Sequence, residues 1–482
     1  MDLQQIISKQ ATLLETQRGE IEELRTENET QRVEIAELKA EIVALKKNSS
    51  TSSKPPSSDL VKPKPPKTPK DKKRNKNKRK RGAQPGHQQH LRKPLSPEMV
   101  DEIRKLELTN CPDCNSKLTL DSTETKTFQQ IELVEKPIFV TEYQQLKYWC
   151  KKCRCYHYSR LPKDVAKEGL FGKNMTVLTA YLKGRGHMSY RTLKDYFHDV
   201  LGFDISTGFL VGQIKKVSAA LHPSYAELAE FLKQQEHLYI DETSLKKNGK
   251  LQWAWCFVAE FFTFFKIDAS RGSKVLKETL GKDFLGSISS DFYSAYRKYT
   301  KDTQTLVQFC WAHLIRAIKF LATLDDTKAY GKRLLKHVKK MFKTIHSQDE
   351  LTADEFKRLM LQHKEAILNT VRRFVPEHKK ATVLAERFEK FGESYFLFID
   401  NPGIEPTNNA AEREIRTLVI DRKITQGVRS DAGNEWLERF WTVLATCKCQ
   451  GKNVMAFLRE SLSFFLHGGL SPPCLINSIG ER

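Results

Sequence analysis

The chain has no long apolar run. None of its 482 residues lie in a stretch that approaches the roughly 20 apolar positions of a membrane-spanning helix, and the N-terminus lacks the apolar core of a signal peptide. The expectation is a soluble, cytoplasmic protein with no membrane partner. Acidic residues are in deficit: 59 Asp and Glu stand against 81 Lys and Arg, a formal net charge of +22. That excess calls for a polyanion, with nucleic acid ahead of an acidic membrane. Apolar residues nearly vanish between 48 and 94, where Ser, Pro and Lys dominate. A segment of that kind buries too little surface to offset its ordering entropy, so a disordered basic linker is expected. Lys54 to Arg81 holds thirteen cations against Asp59 and Asp71, half the net charge of the protein. Lys72, Lys73, Arg74, Lys78, Arg79, Lys80 and Arg81 form its densest part and are the candidate DNA-phosphate contacts. The alternative is a solubilising tail.

What is present before the linker is a heptad. Residues 1–47 place Ile7, Leu14, Ile21, Asn28, Ile35 and Ile42 at a, with Leu3, Leu24, Leu38 and Leu45 among the d positions. Isoleucine at a and leucine at d favour a parallel two-stranded coil, and a single Asn at a penalises other registers. Glu20, Glu27, Glu34 and Glu41 at g face Arg25, Arg32, Lys39 and Lys46 at e, which completes the case for a homodimer. The glutamines at Gln10, Gln17 and Gln31 leave open a lone helix folded on the body.

Residues 95–162 read as a zinc-binding module. Cys111-Pro112-Asp113-Cys114 and Cys150-Lys151-Lys152-Cys153 bracket β-rich runs at Phe128–Val134 and Ile138–Gln145. Two C-x-x-C knuckles can present four thiolates to one structural Zn²⁺, with Cys155 as a spare ligand. A redox motif and disulfides are the alternatives. Residues 163–234 are helical, with Ser189 and Ser206 as N-caps. They fit either a helix-turn-helix carrying Arg185, Arg191, Lys194, Lys215 and Lys216 or a plain supporting bundle.

From 235 to 468 the pattern is α/β. An apolar run ends at Asp241, two β-rich runs follow (251–260 and 261–268), then a helix from Ser273, a strand from 284 to Ser290 before Asp291, and a strand from 303 to 309. A helical insertion, about 314–400, includes a basic amphipathic helix and a Thr352/Glu355 capping box. A late helix carries Glu412. Three carboxylates brought together would repel one another unless a cation neutralised them, and Mg²⁺ or Mn²⁺ suits such oxygen ligands. Residues 469–482 form a tail of unassigned role.

The words Tyr239-Ile240-Asp241-Glu242-Thr243, Ser290-Asp291-Phe292-Tyr293-Ser294-Ala295-Tyr296, Cys310-Trp311-Ala312-His313 and Asn408-Asn409-Ala410-Ala411-Glu412-Arg413 resemble the transposases of the insertion sequence 66 family. The segments upstream match as well, with Ala83 and Asn115 where glycine is usual. The resemblance implies an RNase H-like DDE core in which Asp241, Asp291 and Glu412 hold two Mg²⁺ ions, with His313 and Arg413 as accessory candidates. It implies cleavage of transposon ends and joining of the 3′-hydroxyl to target DNA, with helper proteins from the same element. A nuclease of the same fold that cuts without joining, and a non-enzymatic DNA-binding regulator, are the competing expectations.

Overall fold

The structure, a computed structural model, describes residues 3–45, 96–103, 113, 115, 129, 137–150, 152, 154–469 and 471–476. The chain divides into two compact units, Met1–Pro63 with Gln145–Arg482, and Lys64–Gln144. In the second unit the described residues include a single 3-10 turn at Pro97–Met99. The stretch 137–146 is without regular structure, with Phe139 and Val140 exposed. The strand expected over Ile138–Gln145 is therefore absent from the described residues. The expected strand at Phe128–Val134 lies outside the described residues.

In the first unit, α1 (Leu3–Leu45) is one uninterrupted helix. Its a and d residues Leu14, Ile21, Leu24, Ile35 and Leu38 are each at least half exposed. β1 (Lys147–Cys150) and β2 (Cys155–Tyr158) make a short antiparallel pair. Five helices follow: α2 (Lys163–Glu168), α3 (Lys173–Gly184), α4 (Tyr190–Asp199), α5 (Thr207–Ala220) and α6 (His222–Leu232). Ser189 and Ser206 cap α4 and α5, accepting from the N–H groups of Thr192 and Phe209. Val177, Ala180, Ile214 and Val217 join the same apolar core as the sheet below. That packing is what a supporting bundle requires.

The sheet is built from β3 (His237–Lys247), β4 (Lys250–Val258), β5 (Thr263–Asp268), then α7 (Ser273–Leu280), β6 (Ser287–Ser290), α8 (Ser294–Thr303) and β7 (Leu306–Phe309). Its order is β5-β4-β3-β6-β7, antiparallel on one side of β3 and parallel on the other. β3 runs past Asp241 to Lys247, so Asp241 is not at a strand tip as the apolar run suggested. The reason is the Asn248-Gly249 turn, both residues at positive φ, which closes a two-residue hairpin and pairs Lys247 with Lys250. β6 is shorter than expected, starting only after Gly286, where a Cβ would stand 2.2 Å from the Gln235 carbonyl oxygen. The run to Phe309 likewise loses its first residues: Thr303 closes α8, and Gln304 turns left-handed before β7.

The remaining helices are α9 (Trp311–Leu321), α10 (Lys328–His346), α11 (Ala353–Arg372), α12 (Lys379–Phe391), α13 (Asn409–Thr425), α14 (Asp431–Cys449) and α15 (Val454–His467). Thr352 and Glu355 form the expected capping box of α11. α14 seals the β5 edge. The N–H groups of Thr263, Phe265 and Ile267 donate to Thr446 Oγ1, Thr442 Oγ1 and Glu438 Oε1 at 3.3, 3.0 and 2.6 Å. A helical repeat of four residues (about 6 Å) matches a strand repeat of two (about 6.6 Å), so one helix face can satisfy a whole edge.

Candidate functional site

The parallel register pairs His237, Leu238 and Tyr239 with Ser287, Ile288 and Ser289. Carried two residues further, it sets Asp241 level with Asp291, where β6 leaves the sheet. β7 is paired with β6 in the same way, Ser290 opposite Phe309, and the Cys310 N–H donates to the Ser290 carbonyl at 2.8 Å. That places the first turn of α9, with His313, at the same end. The Asp291 carboxylate accepts the Tyr293 N–H at 2.9 Å, a local turn that leads into α8.

Glu412 reaches this end because α13 is tied along β3 at both its ends. Asn408 Nδ2 donates to the Ile240 carbonyl at 2.7 Å, and its backbone N–H donates to Cys310 Sγ at 3.2 Å. At the far end the Val428 N–H donates to the Lys246 carbonyl at 2.8 Å, and Arg422 donates to the Ser244 carbonyl. Gly427, at φ 105°, permits that approach: a Cβ there would stand 2.2 Å from the Lys246 oxygen. Glu412 lies in the first turn of α13, four residues after its anchor.

Burial pushes the Asp241 carboxyl well above the usual range, helped by the charges of Glu242 and Asp291 and more weakly by Glu412. The Glu412 Oε1 and His313 Nδ1 atoms are 3.7 Å apart, both buried and both without a hydrogen-bond partner. Burial lowers the His313 pKa against the opposing pull of Glu412, which leaves the ring neutral at pH 7. Cys310, His313 and Glu412 offer ligand atoms within 4.8 Å of one another. The Cys310 thiol, pushed up by burial, serves as the acceptor for Asn408. Arg413 is exposed on the next position of α13.

Three features of the site had no sequence signal. Successive strand residues face opposite sides, so Glu242 points away from Asp241. It is held by Arg271 (Nη2 at 2.6 Å, Nε at 2.8 Å) and by the Tyr296 hydroxyl. Phe292, next to Asp291, lies under two guanidinium groups, Arg387 at 3.7 Å and Arg297 at 4.6 Å from the ring centroid. Arg387 has Nε and Nη2 buried without partners, and burial lowers its pKa to about 9 against the pull of Asp291. Arg387 is 96 residues from Asp291 in sequence, and only the fold joins them.

The raised Asp241 pKa has a consequence for stability. A carboxyl that holds its proton more tightly folded than unfolded loses stability as pH rises from about 4 through its folded pKa. With divalent ions chelated, Asp241→Asn is expected to melt above the intact protein at pH 8, the gap closing toward pH 4. Thermal melts at several pH values check this; a gap independent of pH would mean that Asp241 is not the source.

Of the zinc ligands expected, Cys111, Cys114 and Cys153 lie outside the described residues, and Cys150 is described only as the end of β1. The residues that follow the two knuckles, Asn115 and Arg154, both have left-handed backbone, φ 58° and 51°. The basic cluster Lys72, Lys73, Arg74, Lys78, Arg79, Lys80 and Arg81 lies outside the described residues.

A mixed sheet that sets two aspartates level, with a helical glutamate anchored beside them on a strongly cationic chain, is the frame of a DDE-type transposase. Comparison with known proteins narrows that class. Residues 168–435, just over half of the chain, match the family model described as "Transposase IS66 family". The chain belongs to the IS66 family of transposases. Residues 109–154 match "zinc-finger binding domain of transposase IS66", which points to zinc, and residues 8–93 match a family of unknown function. Two uncharacterized proteins of Sinorhizobium fredii (strain NBRC 101917 / NGR234) are similar to it, y4hP and y4qI, each 23% identical. The matches span 77% of this chain and 74% of y4hP, and 64% of this chain and 62% of y4qI. Among the described residues no helix is long and apolar enough to cross a membrane.

Proposed function

We propose that this transposase cuts the ends of its insertion sequence and joins the freed 3′-hydroxyl to target DNA. What supports the reading is the placement of Asp241 on β3, Asp291 just past β6 and Glu412 at the start of α13, near enough for the charges of Asp291 and Glu412 to act on Asp241. The strand order β5-β4-β3-β6-β7, with β4 alone running opposite to the other four strands, supports an RNase H-like core. The donor set fits divalent ions: hard oxygen ligands, a carboxyl whose proton affinity is raised by burial and then by its acidic neighbours, and a buried Glu412 oxygen without a partner. Asp241, Asp291 and Glu412 would hold two Mg²⁺ or Mn²⁺ ions, which when bound supply an activated oxygen nucleophile and neutralise charge on the phosphodiester.

The chain's own residues do the rest. Asn408 fixes the start of the glutamate helix against β3, and the Asp291 turn holds that carboxylate at the strand end. Neutral His313 is placed to take up a proton at Nδ1 from water entering beside Glu412. Cys310 is no nucleophile: its thiol is buried and occupied by the Asn408 N–H. The exposed a and d positions of α1 support a parallel dimer. The left-handed residues after each C-x-x-C support one Zn²⁺ held by Cys111, Cys114, Cys150 and Cys153. DNA, contacted in part by the basic tract 72–81, is the substrate, in the cytoplasm, with helper proteins of the same element as further partners.

The test is cleavage and joining of labelled DNA carrying the element's own ends, with Mg²⁺, for the intact protein and Glu412→Gln. Both reactions are expected only from the intact protein. Cleavage without joining would make it a nuclease, and full activity in the variant would remove Glu412 from the site.

A further inference from the structure

α10 carries a row of cations, Lys332, Arg333, Lys336, Lys339, Lys340 and Lys343, and no acidic residue at all. All six are exposed, while Leu334, Val338 and Met341 on the opposite side are buried. Like charges three and four apart destabilise a helix by a few tenths of a kcal/mol per pair, so the row is a cost to the free protein. The neighbouring helix is built differently. On α11, Lys357 pairs with Asp400 at 2.8 Å and Lys364 with Glu393 at 2.5 Å. Among the described residues, none of the six α10 cations lies within 4 Å of a carboxylate; the pairing of that helix is confined to Lys328 at its start. The field is felt locally: His337 is held below its usual range by burial and by Lys340 and Lys336.

The row also has a direction. α9 leaves the candidate site at Trp311 and α10 returns beside it, with Phe342 edge-on to Trp311 at 6.4 Å. The Lys339–Lys343 end therefore lies at the level of His313, and the row leads away along the helix for about 16 Å. Duplex DNA presents a negative charge about every 1.7 Å of its axis, so a row of that length faces several phosphates. Lysines bind phosphates as point charges and without regard to sequence.

From this geometry we infer that α10 is a backbone track for duplex DNA, holding the substrate beyond the phosphate that is cut. The inference rests on the reaction proposed above for what occupies the near end; the occupant is chosen over an acidic protein because a repeating row meets a repeating charge.

The test uses the full chain, a fluorescent duplex of about 30 base pairs and arbitrary sequence, and the variant Lys336→Gln/Lys339→Gln/Lys340→Gln/Lys343→Gln. All four positions are exposed and their mutual repulsion is relieved, so the melting temperature should hold or rise slightly. The magnitude of the slope of log affinity against log salt is expected to fall by about 0.9 for each phosphate that is no longer neutralised, up to about 3.6 in all. Lys357→Gln/Lys364→Gln, on the self-neutralised helix, should leave the slope unchanged. An unchanged slope in the fourfold variant, an equal fall in the control, or no duplex binding by the intact chain would each overturn the inference. So would a defect seen with polyglutamate and not with duplex, which would assign the face to an acidic protein. A chain that binds with this slope yet neither cuts nor joins keeps the track and loses the reaction; one that cuts while the slope is unaltered keeps the reaction and loses the track.

Discussion

Asp291→Asn is expected to reduce end cleavage by about a thousandfold or more while end binding stays within a few-fold of the intact protein. The amide keeps the shape of the side chain and can still accept the Tyr293 N–H that forms the local turn, so the β6–α8 junction should survive. What it loses is one negative oxygen of the ligand set. Metal-assisted charge stabilisation is worth several kcal/mol, which at about 1.4 kcal/mol per tenfold is a rate factor near 10³. Binding should persist because the substitution leaves every cation assigned to phosphate contact unchanged. Single-turnover cleavage and filter binding on the same end fragment separate the two. If binding and cleavage fell together, Asp291 would be a structural residue and the site would have to be redrawn.

Arg271→Met is expected to lower unfolding free energy by about 2–3 kcal/mol. Glu242 is almost fully enclosed on the face of the sheet opposite Asp241, and its charge is met by Arg271 and the Tyr296 hydroxyl. Even with those partners, burial keeps its pKa raised. Removing one partner of a buried pair costs roughly 3–5 kcal/mol, because the survivor is left charged without compensation. Arg271 is about one third exposed, so solvent screens part of the interaction and the lower figure applies. Urea denaturation of Arg271→Met, Glu242→Gln and the double variant closes the cycle. In the Glu242→Gln background the Arg271 change should cost far less, and equal costs in both backgrounds would mean that the guanidinium acts through its packing over Trp253 and Tyr293 rather than through charge.

The contrast between these two carboxylates shows where reading the sequence stops. Asp241 and Glu242 are adjacent and chemically alike, and nothing in the local word says which one faces an anionic substrate and which faces a structural cation. Strand alternation guarantees that they diverge; the partner of each is supplied by elements 29 to 171 residues away. The Asn-Gly pair at 248–249 was a legible hairpin signal, and with it the full length of β3 follows. No comparable signal leads from Asp291 to Arg387 or Arg297, because a cation seated on a ring carries no fixed spacing.

The sequence by itself determined the elements whose cause is local. The caps at Ser189, Ser206 and Thr352, the heptad of α1, the β-rich runs of β4 and β5, and the left-handed Asn115 all follow from the preferences of a few neighbouring residues. It also determined the family, since four short words lie in fixed order along the chain. Only the tertiary structure decided how the carboxylates are placed along the sheet: a parallel register that, carried on, sets 241 level with 291, and an asparagine that ties the glutamate helix to β3. It alone decided which cations find acids and which, on α10, do not. Those outcomes depend on contacts between distant segments, whose strength is set by burial and mutual geometry.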